Sequence, residues 1–212
     1  ARYRAWWNHD YFGRCALAVV APRDDRPDLP EPLPPATLEE QWFDLEAINR
    51  RAQYQMASTF YGGEALPIWS GGYPGHTSLP VFMGATCALD MHTGWIEPII
   101  DREEEPDIRR LRVHTDHPQY RFAFESAARG AEWMCGKGLV TIGAFGGCGD
   151  TLAALRTTDR LLYDCVDRPG WVREAELTLM EMWCAHYEKL YAVIRGTDEG
   201  STCWFPLWAP GR

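Results

Sequence analysis

Two glycine-rich stretches gather the residue types that could do chemistry. In Gly146-Gly147-Cys148-Gly149-Asp150 a thiol and a carboxylate stand two residues apart, directly after the apolar run 139–144. In Ser70-Gly71-Gly72-Tyr73-Pro74-Gly75-His76 a histidine closes a turn that follows the apolar run 65–69. Histidine titrates in the range that suits proton transfer, although a lone loop histidine such as His76 is more often a solvated residue than a catalyst. Asp150 can bind or orient a substrate, or simply cap the helix that begins near Thr151. Cys148 near a helix N-terminus could ionise, but no basic neighbour is visible in the sequence, so an inert thiol is favoured. Glu97, beside Trp95 and before Pro98, is a further acid candidate. His76 and Asp150 are therefore the catalytic candidates, with Tyr73, Glu97, Cys148, Trp204 and Trp208 as substrate-binding candidates. The tryptophans could form a stacking wall for a planar or sugar-like ligand, or belong to ordinary core.

The spacing excludes some chemistry. Gly-Gly-Cys-Gly is not the G-x-G-x-x-G of dinucleotide sites, and no Lys-Ser/Thr follows to make a P-loop. The net charge is −9 with no basic stripe, which argues against nucleic acid as a partner. No apolar run approaches 18 residues, so no membrane span is expected. Seven cysteines, odd in number, widely spread and never in C-x-x-C, fit a reduced, cytoplasmic protein.

The elements that must position these residues alternate. Residues 17–21, 65–69, 139–144 and 201–205 read as strands, and 87–100 is strand-like with a turn or edge near Trp95. Residues 38–56 read as one helix behind the capping box Thr37-Leu38-Glu39-Glu40. Further helices are expected over 117–136, from Thr151, over 159–166, and from Pro169 onwards, where an early proline suits a helix start. The proline-rich stretch 23–35 is an extended loop, and residues 206–211 form another. Strands alternating with helices imply a parallel α/β fold. A complete (β/α)8 barrel takes about 250 residues, so 212 residues fit a TIM barrel cut before closure. The expected organisation is an N-terminal aromatic segment and loop, residues 1–36, followed by the first half of a barrel, residues 37–212. The chain's ends suggest a fragment.

The block 140–212 resembles the uroporphyrinogen decarboxylase superfamily. The resemblance is carried by Gly146-Gly147-Cys148-Gly149-Asp150-Thr151-Leu152, by Asp167-Arg168-Pro169-Gly170, and by Thr202-Cys203-Trp204-Phe205-Pro206-Leu207-Trp208-Ala209. It implies an incomplete (β/α)8 barrel of that type. The decarboxylases' arginine-bearing N-terminal motif has no counterpart beside Trp6-Trp7-Asn8-His9. Their aspartate and tyrosine positions fall at Trp69-Ser70-Gly71-Gly72 and at Leu155. Porphyrinogen decarboxylation is disfavoured accordingly. The superfamily's other branch implies corrinoid-dependent methyl transfer with zinc, the metal ligands lying beyond residue 212, and a corrinoid protein or a second copy of the chain as partner. Cys184-Ala185-His186 is the only close Cys/His pair, and it suits packing on a helix better than metal binding.

Two functions are expected from different classes. One is an enzyme acting on a small or planar substrate at the carboxyl ends of the strands. The other is a non-catalytic small-molecule-binding protein that keeps a Trp-lined pocket. Titratable groups clustered at the strand ends would favour the enzyme, and a tryptophan wall without them would favour the binder.

Overall fold

The computed structural model describes residues 1–25, 27–72, 74–102, 104–143, 145–194, 200–202 and 207–210. In chain order the elements are α1 (Arg2–Trp7), β1 (Ala18–Pro22), α2 (Leu38–Trp42), α3 (Leu45–Ala57), β2 (Thr59–Gly63), β3 (Ile68–Trp69) and α4 (Leu79–Phe82). There follow β4 (Cys87–Leu89), β5 (Gly94–Ile96), α5 (Pro118–Met134), β6 (Leu139–Val140), α6 (Cys148–Arg156), α7 (Thr158–Asp167), α8 (Pro169–Ile194), β7 (Gly200–Thr202) and β8 (Trp208–Pro210). The chain divides into two compact units. The first holds residues 1–72, 125–143 and 191–212, and the second holds 73–124 and 144–190. None of the helices among the described residues is long and apolar enough to cross a membrane.

The barrel expectation is overturned. The described strands form four separate two-stranded sheets, and three of these are antiparallel. Only β3 and β6 run parallel, pairing Ile68 with Leu139 and Trp69 with Val140. The run 139–144 leaves the ladder early for a local reason. Thr141 Oγ1 accepts the Gly143 N–H at 3.0 Å, and Gly143 takes a φ of 73°, which no extended strand allows. Gly200–Thr202 pairs antiparallel with Trp208–Pro210, residues expected to be loop; residues 203–205 of the expected final strand lie outside the described residues. The stretch 87–100 becomes a hairpin, because Asp90 Oδ1 accepts from the His92 and Thr93 N–H groups and turns the chain back.

Helix 38–56 is two helices. Asp44 interrupts it and caps the second, accepting the Ala47 N–H at 2.9 Å. Asp150 is not a cap either: Gly147 holds that position, and Asp150 stands exposed in the first turn of α6.

In the first unit β1 lies antiparallel to β2, and Glu64 fastens the N-terminal segment to the end of that ladder. Its carboxylate accepts from Arg14 Nη2 at 2.6 Å, Arg14 Nη1 at 2.8 Å, Arg2 Nη1 at 2.9 Å and the Leu17 N–H at 2.8 Å. Its carbonyl accepts the Tyr3 hydroxyl at 2.7 Å. The Arg14 bonds above all, then the Leu17 N–H, outweigh burial and hold the Glu64 carboxyl down to about 2. A carboxylate whose pKa is depressed on folding stabilises above its ordinary pKa and ceases to as pH falls through the folded value. Protection of the Leu17 amide in hydrogen exchange is therefore expected to fall as pH drops from about 4.5 towards about 2. Glu64→Gln should show the same loss at pH 7, and protection indifferent to both changes would show that Glu64 does not anchor the segment.

The second unit is built on fully buried Leu79, Phe82, Leu152, Leu155 and Leu179. Phe82 meets Tyr120 edge-on at 5.1 Å and Phe145 at 5.8 Å. Beside this core lies a buried ion pair. Arg156, with no exposure, gives Nε to Asp164 Oδ2 at 2.8 Å, Nη1 to the Ile100 carbonyl at 2.7 Å and Nη2 to the Glu104 carbonyl at 2.9 Å. Its guanidinium lies 5.3 Å from the Trp171 ring, and Arg168 Nη1 reaches Asp164 Oδ1 at 2.7 Å.

Candidate functional site

At the carboxyl end of β3 the chain leaves the parallel pair through Ser70-Gly71-Gly72, and a cavity of about 360 Å³ opens there. Ligands of parallel strands meet the loops at this end. The turn needs its glycines: φ is 69° at Gly71 and 84° at Gly72, and a Cβ at Gly71 would stand 2.5 Å from Ser126 Oγ. A Cβ at Gly72 would lie 3.6 Å from the Trp42 ring, so the bare backbone passes close over that indole.

The cavity wall is assembled from α2, α3, β2 and β3. Trp42 and Trp69, 7% and 1% exposed, supply its aromatic part together with Tyr61, and Ile48 and Met56 its aliphatic part. The polar lining consists of Gln41, Gln55, Ser70, Tyr61 and Arg51; among the described residues no Asp, Glu, His or Cys contributes. Arg51 Nη2 donates to the Gln41 carbonyl at 2.9 Å, which leaves most of the guanidinium N–H groups for another acceptor. Burial lowers the Arg51 pKa, because the charge is drawn partly out of water; Asp44 and Glu40 act in the opposite direction. Burial likewise raises the Tyr61 phenol, which stays protonated and able to donate.

The residues singled out from sequence do not converge on this cavity. His76 is fully buried in the second unit, its ring tilted 41° against Phe122 with centroids 5.5 Å apart. Glu97 is exposed just after β5, where its N–H meets the Thr86 carbonyl. Cys148 opens α6 half-buried, and its thiol is raised first by burial and then by Glu176 and Cys184. Asp150 in turn raises Glu176, second to burial. These four candidates all belong to the second unit. Trp208 belongs to the first, within β8, 7% exposed, with its carbonyl accepting from Trp7 Nε1 at 2.8 Å. Tyr73 and Trp204 lie outside the described residues.

Cys184 and His186 do not form a ligand pair. Cys184 is exposed, whereas His186 is buried and its Nδ1 lies 3.1 Å from the Tyr120 hydroxyl. Among the described residues no group of three or more His, Cys, Asp or Glu side chains could hold a metal ion. Arg51 and Tyr61 carried no motif. The available signals were the glycine turn after 65–69, which marks the correct strand end, and the tryptophan at position 42. Compared with protein-family models, with curated proteins and with solved structures, the chain matches none.

Proposed function

We propose that the chain is a small-molecule-binding protein whose ligand is a small hydroxylated organic anion, of the size of a sugar acid or sugar phosphate, held in the cavity at the end of β3. Arg51 is the observation that carries this reading. Arg51 Nη2 bonds the Gln41 carbonyl, and among the described residues the cavity lining brings no carboxylate to the rest of the guanidinium, which is thus placed to receive an anion. Gln41, Gln55, Ser70 and Tyr61 offer donors and acceptors for hydroxyl groups, and Trp42 offers a flat apolar face. Among the described residues the lining has no carboxylate, imidazole or thiol to move a proton at neutral pH, which favours binding over catalysis.

Isothermal titration calorimetry of the 212-residue chain with D-glucuronate, glucose 6-phosphate and neutral glucose tests this. At least one anion should bind, with glucose at least tenfold weaker. Arg51→Gln should weaken the anion at least tenfold, and Ser70→Ala should weaken it less while leaving the fold intact. The proposal falls if neither anion gives saturable heat, if glucose binds as well as the anions, or if Arg51→Gln binds like the parent chain.

A further inference from the structure

An amphipathic helix ordinarily turns its apolar face to the core and its charges to water, and α7 does the reverse. Leu162, Tyr163 and Val166 are 62%, 69% and 80% exposed, whereas Asp164 is buried. No apolar side chain of α7 is fully buried; Leu161 is half-buried and Cys165 is exposed. The roll of the helix is fixed from inside. Asp164 accepts from Arg156 Nε at 2.8 Å and from Arg168 Nη1 at 2.7 Å, and Thr157 Oγ1 accepts the Arg160 N–H at 3.4 Å to cap the first turn. Turning the helix to bury Leu162 and Val166 would strip the buried Arg156 of its carboxylate. The apolar face is therefore held outward by the ion pair beneath it.

Tyr163 and Val166 follow Leu162 by one and four positions, so the three share one side of a helix about 15 Å long. The charges at the two ends of α7 decide what fits that side. The helix enters with Asp159-Arg160 and leaves with Asp167-Arg168. Read backwards, the signs are complementary: a second α7 laid antiparallel puts Arg160 opposite Asp167 and Asp159 opposite Arg168, in both directions at once. A parallel copy would put like charges together. Arg168 is already shared with Asp164, so the pairing of Arg160 with Asp167 is the discriminating one. Both residues are exposed, and among the described residues neither has an ion-pair partner within the chain. They lie seven positions apart, close to two full turns, and so stand on one flank of the apolar face.

We infer that α7 is a self-association surface whose occupant is α7 of a second copy of the chain, packed antiparallel across a twofold axis between positions 163 and 164. Leu162, Tyr163 and Val166 of the two copies cover one another, and Arg160 and Asp167 form two equivalent pairs along the flank. A contact made by the same patch on both copies closes on two and grows no further. One pair of short helices falls at the low end of interface sizes, below roughly 1,200 Å², so the association is weak and concentration-dependent. It stands apart from the Arg51 cavity, whose lining belongs to the first unit.

Sedimentation velocity of the 212-residue chain from about 5 µM to about 500 µM tests this. The parent chain should pass reversibly from monomer to dimer across that range. Val166→Glu, at a position 80% exposed, should stay monomeric throughout. Arg160→Glu should weaken dimerisation at least tenfold, and Arg160→Glu combined with Asp167→Arg should restore it to within about threefold of the parent. Both exchanges suit the helix itself, since they put an acid in its first turn and a base in its last, and far-ultraviolet circular dichroism confirms that each variant is folded. The inference is overturned if the parent stays monomeric or forms larger assemblies, or if Val166→Glu dimerises like the parent. It also falls if Arg160→Glu has no effect, or if the double exchange leaves the dimer as weak as the single one.

Discussion

Replacing Arg156 by methionine should destabilise the second unit by about 3–5 kcal/mol, the usual cost of removing one partner from a buried ion pair. The loss is more than one bond. The Ile100 and Glu104 carbonyls lose this donor, and Asp164, 2% exposed, keeps Arg168 as its cation among the described residues. Burial pushes the Asp164 carboxyl up, but the bonds from Arg156 and Arg168 more than offset this and hold it below its ordinary value. With Arg156 gone, burial would act with less opposition and the Asp164 pKa would rise, so the stability gap between variant and parent should narrow as pH falls and Asp164 takes up its proton. Arg156→Met combined with Asp164→Leu should be less harmful than Arg156→Met alone, since no buried charge is then stranded. Urea unfolding followed by near-ultraviolet circular dichroism measures both. If Arg156→Met costs under about 1 kcal/mol, the pair is not holding the unit together.

Trp69→Ala should be comparably severe in the first unit, at about 3–5 kcal/mol for a buried Trp truncated to Ala. The indole is 1% exposed, lies 5.8 Å from the Trp133 ring, and belongs to the parallel ladder with Val140. It also walls the Arg51 cavity, so the variant should lose ligand binding with stability. Gly130 supplies a control with an unusual sign. Gly→Ala in a helix ordinarily stabilises by about 1 kcal/mol. Here a Cβ would come 2.5 Å from Trp69 Cζ3, so Gly130→Ala should instead destabilise by about 1–3 kcal/mol. A more stable Gly130→Ala protein would show that the Trp69 ring has room to move.

Local signals in the sequence were legible where one residue decides the structure. The Thr37 cap holds, with the Glu40 N–H meeting Thr37 Oγ1 at 3.2 Å, although the Glu40 carboxylate returns to the Ala36 N–H rather than that of Thr37. Pro169 opens α8, and the glycine turn after β3 marks the Arg51 cavity. Strand partners were not legible, because alternation of strand and helix says nothing about which edges meet. β1 finds β2 across the proline-rich loop and two helices, and β4 finds β5 only because Asp90 folds the chain tightly. The position of Arg51 depends on the helix break at Asp44, which resets the phase of everything after it. His76 misled for the opposite reason: a histidine in a glycine-rich turn looks exposed, yet its ring packs on Phe122.

The way the chain passes between its two units sets an order of assembly during synthesis. The first unit begins with residues 1–72 but needs 125–143 and part of 191–212 to close, whereas the second closes once residue 190 has been made. At about 5–20 residues per second, the N-terminal residues must wait on the order of 10 s for the strand Gly200–Thr202. The usual N-terminal-first order is thus reversed, and the unit begun second finishes first. Until residues 125–143 are made, Trp69 lacks Trp133 and Val140, so its indole has no packing partner on the nascent chain from that segment.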